Sequence, residues 1–102
     1  MIDQVTLDRV QLVREMISEY EDALSRERVR LDALRLDWVR AELYAREMEE
    51  QGDADSAHEA RKARLEAHEI QRRVEATEEE IDRMEQLLAV FRRKLLELQR
   101  DR

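Results

Sequence analysis

A chain of 102 residues with 4% aromatic and 44% charged side chains, one glycine, no proline and no cysteine cannot fill a thick globular core, and it has almost no punctuation for loops. Without cysteine there is no disulfide framework, no thiolate nucleophile and no cysteine metal site, and a net charge of −7 argues against a nucleic-acid partner, whose phosphates reward clustered Lys and Arg. The start Met1-Ile2-Asp3-Gln4 lacks the basic head and apolar run of a signal peptide, and no stretch reaches the apolar length of a bilayer span, so a cytoplasmic protein is expected.

The first predicted element is a long helix over residues 4–51, capped by Asp3 or Thr6. In heptads its a positions are Val10, Ile17, Leu24, Leu31, Trp38 and Ala45, and its d positions are Val13, Tyr20, Glu27, Leu34, Ala41 and Met48. Only Glu27 interrupts this apolar seam. Residues 52–55 are the predicted turn: Gly52 suits the left-handed position just past a helix end. Ser56-Ala57-His58-Glu59 then has the spacing of a capping box, with Asp53 or Asp55 as alternative caps, opening a second helix over 56–101. Its a positions are Ala60, Ala67, Val74, Ile81, Leu88 and Leu95, and its d positions are Ala63, Ile70, Thr77, Met84, Phe91 and Leu98.

Two sevenfold seams about one glycine predict a single all-α unit over 1–102, an antiparallel two-helix coiled-coil hairpin. With the turn centred near Ala54, facing residues have numbers adding to about 108: Ala45 with Ala63, Ala41 with Ala67, Trp38 with Ile70, Leu24 with Met84, Ile17 with Phe91. The alanine layers should bring the helices close near the turn. Glu27 and Thr77 either share one polar break that keys the register, or Glu27 reaches out to water. Acid-to-Arg spacings of four, at Asp22 and Arg26, Glu42 and Arg46, Glu69 and Arg73, and Glu79 and Arg83, support the helices locally.

Apolar residues remain that such a seam cannot bury. Val29, Leu36 and Leu43 recur by sevens on the f positions of the first helix, assisted by Ala33 and Val39, on the face turned away from the second helix. Toward the chain ends, Val5, Leu12 and Met16 on one helix and Leu87, Val90 and Leu96 on the other are likewise outside the seam. Such regular spacing predicts a binding face, with a second copy of the chain as its occupant in a four-helix bundle or higher assembly. Arg92, Arg93 and Lys94 beside these leucines have the composition of a membrane-surface segment, but cations near a helix C-terminus already suit its dipole and the apolar residues fit an oligomer core better.

The turn region is acidic. Glu47, Glu49, Glu50, Asp53, Asp55 and Glu59 carry no Lys or Arg between them, and Glu49, Glu50, Asp53 and Asp55 are the candidate recognition residues for a basic partner or a divalent cation. Gly52-Asp53 followed by Ala57, Glu59, Ala60 and Arg61 resembles the hairpin tip of the Gre transcript-cleavage factors, and Asp53-Ala54-Asp55-Ser56-Ala57 resembles the tip of the DksA group. The resemblance implies a coiled coil that enters the secondary channel of RNA polymerase, with Asp53 and Asp55 as the acids near the catalytic magnesium. Ser56 stands where the Gre pattern has its second acid, and the cysteines of a DksA-type zinc finger are missing.

No enzyme is expected. His58-Glu59 and His68-Glu69 begin like zinc-protease motifs, but Lys62 and Arg72 occupy the place of the second histidine, and both histidines fall on outward positions. No phosphate-cradling glycine loop or nucleophile with a neighbouring base is present, so no cofactor, metal or catalytic residue is assigned. The composite expectation is a structural or adaptor coiled coil with itself and an unidentified protein as partners; the alternative is a transcription regulator acting through the acidic tip.

Overall fold

The computed structural model describes residues 3–100 and contains two helices, α1 (Gln4–Gln51) and α2 (Ala54–Arg100), which pair antiparallel as an all-α hairpin. Asp3 caps α1, its Oδ1 accepting the Thr6 backbone N–H at 2.7 Å. That bond, and then the one from the Thr6 side chain, hold the Asp3 carboxyl below its ordinary pKa by stabilising the charged form.

α1 ends at Gln51 and reverses through Gly52, whose φ of +79° is a left-handed conformation that costs a residue with a Cβ roughly 1–2 kcal/mol. The second helix begins earlier than the Ser56 capping box predicts. Asp53 is the cap: its Oδ1 accepts the Ser56 backbone N–H at 2.7 Å and its Oδ2 accepts the Ser56 hydroxyl at 2.9 Å, so α2 opens at Ala54. Ser56 is thus a donor to the cap, and Glu59 pairs with Lys62.

The chain packs as two units, one formed by α1 up to Arg28 with α2 from Glu80, the other by Val29–Glu79. In the terminal unit Val10, Val13 and Leu98 form a buried cluster with Ile17, Phe91 and Leu95 against it. Leu24, Ile81 and Leu88 are buried, and Tyr20 meets Phe91 with ring centroids 5.4 Å apart. The turn unit buries Leu31, Ile70 and Val74 and half-buries Leu34, Trp38 and Met48, but its most complete burial is of alanine: Ala45, Ala60, Ala63 and Ala67 are all nearly inaccessible. A methyl is covered so completely only where the opposite helix comes close. Every a and d residue of both heptad series is buried or half-buried.

Thr77 is buried in the turn unit and Glu27 is half-buried in the terminal unit. No buried side-chain nitrogen or oxygen among the described residues lacks a hydrogen-bond partner. Trp38 is half-buried, with its indole N–H donating to Glu42 at 3.1 Å, so Glu42 turns to the indole where the sequence spacing pointed to Arg46. Arg83 similarly binds Glu80, three residues back, at 2.8 Å.

Ion pairs between the helices follow the register of the seam. Glu21 meets Arg92 and Arg28 meets Glu85 in the terminal unit; Arg35 meets Glu78 and Glu49 meets Arg64 in the turn unit. All eight residues are e positions, and each pair has numbers adding to 113. An e residue lies one past d and four past a, so seam layers adding to 108 produce this value. Half-exposed pairs of this kind contribute at most about 1 kcal/mol each. Their larger effect is on alternatives. Sliding one helix by a heptad would set Glu21 against Glu85 and Arg14 against Arg92 beside the attractive Arg28 with Glu78 and Glu42 with Arg64, or, in the other direction, Arg28 against Arg92 and Glu42 against Glu78 beside the attractive Arg35 with Glu85; in the observed register no e position meets a like charge.

Candidate interaction surfaces

The seam consumes the a and d residues and leaves the f stripe of α1 outside. In the turn unit Val29 is 70% exposed, Leu36 50%, Val39 51% and Leu43 57%, with Ala33 exposed among them. These four large side chains lie within residues 29–43 on one face because the heptad spacing that turns Leu31 and Ala45 inward turns 29, 36 and 43 outward. Their flanks are charged: Asp32 and Arg40 are both exposed, Arg40 lying 3.8 Å from Asp37 on the same helix.

In the terminal unit Val5 and Leu12 of α1 and Leu87, Val90 and Leu96 of α2 are exposed. Met16 differs from its sequence reading: it is half-buried at the edge of the seam. Three exposed apolar residues escaped the sequence reading, the first being Leu7 in the opening turns of α1. Leu65 is 72% exposed on an f position of α2 flanked by His58 and Arg72 one heptad away, and Tyr44 borders a groove lined by Leu34, Ala41, Ala63 and Ile70. The small side chains of Ala41 and Ala63 leave that groove open; Leu65 was overlooked because no heptad repeat accompanies it.

The four acidic candidates have different tasks. Asp53 spends both carboxylate oxygens on the cap of α2, and its pKa is lowered by the Ser56 backbone N–H first and the Ser56 hydroxyl second. Glu49 binds Arg64 across the seam, which accounts for a carboxylate placed against the dipole at the end of α1. Asp55 sits in the first turn of α2, where a negative charge suits the dipole, and Glu50 is exposed in the last turn of α1. Among the described residues no three acidic or histidine side chains converge as a metal site, and His58 and His68 are both exposed.

The chain matches no protein-family model, and no curated protein and no solved structure is significantly similar to it. Among the described residues no helix is long and apolar enough to cross a membrane.

Proposed function

We propose that this chain is a cytoplasmic adaptor or scaffold coiled coil that self-associates through its outer apolar faces and engages a further protein, with no chemistry of its own. The observation that carries this reading is the exposure of Val29, Leu36, Val39 and Leu43 on one face of α1. Fully burying an exposed side chain of this kind contributes about 1.5–3 kcal/mol, and these four, 50–70% exposed, have about half to two-thirds of that still to gain, a drive toward a partner. The exposed Leu87, Val90 and Leu96 extend the drive to the terminal unit. Asp53 and Asp3, the carboxylates with lowered pKa, both act as helix caps, a structural use of charge. Glu50 and Asp55, exposed beside the turn, supply an acidic recognition end for a basic protein surface.

Sedimentation equilibrium tests the reading. The wild-type chain is expected to associate with rising concentration, and Leu36→Glu with Leu43→Glu to return it to a monomer of unchanged helical circular dichroism. A wild-type chain that stays monomeric throughout refutes self-association.

A further inference from the structure

We propose that the outer face of α1 in the turn unit is a two-fold contact with a second copy of this chain, the two α1 helices running antiparallel and centred on Leu36. The inference rests on the self-association reading and adds the orientation and register. A two-fold interface uses one patch twice, so that patch must match its own reversal. Three residues either side of Leu36 stand Ala33 and Val39; seven residues either side stand Val29 and Leu43. Four residues either side stand Asp32 and Arg40, opposite in charge. Reversal about Leu36 therefore lays apolar on apolar and acid on base, twice in each dimer. A parallel, in-register pairing of the same face sets Asp32 against Asp32 and Arg40 against Arg40, which is repulsive. All seven residues from this pattern are exposed, and the Asp37 partner of Arg40 is a solvent-screened neighbour on the same helix. The match ends with the stripe: ten residues either side of Leu36 stand Arg26 and Arg46, with Glu47 beside the latter, so the contact is confined to residues 29–43 and should be concentration-dependent.

Because the chain has no cysteine, single cysteines report the register directly. Leu36→Cys is expected to join to its own copy with a short bismaleimide, whereas Val29→Cys and Leu43→Cys are each expected to fail alone and to join when mixed. Asp32→Arg and Arg40→Asp should each weaken the dimer about tenfold, and a mixture of the two should recover it as a heterodimer. Self-joining of all three cysteine variants means a parallel dimer and overturns the proposal while self-association stands. A wild-type dimer with no joining at any of these positions places the second copy elsewhere and overturns the proposal alone; a wild-type monomer overturns both readings.

Discussion

The two units of the hairpin share one heptad rule and fill it differently. The terminal unit closes on Val10, Leu24, Ile81, Leu88 and Phe91, whereas the turn unit sets Ala45, Ala60, Ala63 and Ala67 among its larger seam residues. Large side chains derive stability from the area they bury, and alanine layers derive it from close backbone approach with little area to bury. The unit with the thinner core also carries the four-residue stripe of exposed aliphatics on α1. The terminal unit exposes large apolar side chains too, Val5, Leu7, Leu12, Leu87, Val90 and Leu96, but divides them between both helices.

The contrast can be broken by mutation. The largest effect is expected at Leu88, the most buried large side chain, at 2% exposure: Leu88→Ala should cost about 2–5 kcal/mol in urea unfolding, through lost transfer free energy and the cavity left behind. An equivalent truncation is impossible at Ala45, which is 0% exposed, so the informative change there is enlargement. Ala45→Leu should destabilise by about 1–3 kcal/mol through overpacking. A stabilised Ala45→Leu variant would mean the turn unit has room in its seam and that close approach is not its source of stability.

The smallest effect separates cap from charge at the turn. Asp53→Ala should lower the melting temperature by a few degrees near neutral pH, since the Ser56 N–H loses its partner. Asp53→Asn keeps an acceptor that does not titrate. The folded pKa of Asp53 lies below its ordinary value of 3.8, so the stabilisation specific to its charge is complete above that value and is lost as pH falls through the lowered folded value. Thermal melts of wild type and Asp53→Asn should therefore converge on acidification across that window, and a constant difference would show that the charge of Asp53 contributes nothing to the cap.

Much of this architecture was legible in the residues themselves. A sevenfold apolar repeat leaves few options for which side faces inward, and the exposed stripe could be read by the same spacing, since residues two turns apart share a face wherever the helix goes. The local polar detail was less accessible. Arg83 and Glu42 each had more than one partner within reach on the helix, and the choice depended on side-chain geometry that spacing does not encode. The cap of α2 was similarly divided between Asp53 and Ser56 until the turn conformation placed the Asp53 carboxylate over the Ser56 amide.

The cross-helix ion pairs mark the boundary between the two kinds of knowledge. Each chain segment, taken alone, already contained the periodic seam, the reversal at Gly52 and the surplus of apolar surface, because these follow from backbone geometry and local spacing. The sum of 108 already implied e positions facing at 113, but how closely each carboxylate meets its guanidinium was decided only when the helices docked, since side-chain geometry across the seam is not encoded in spacing.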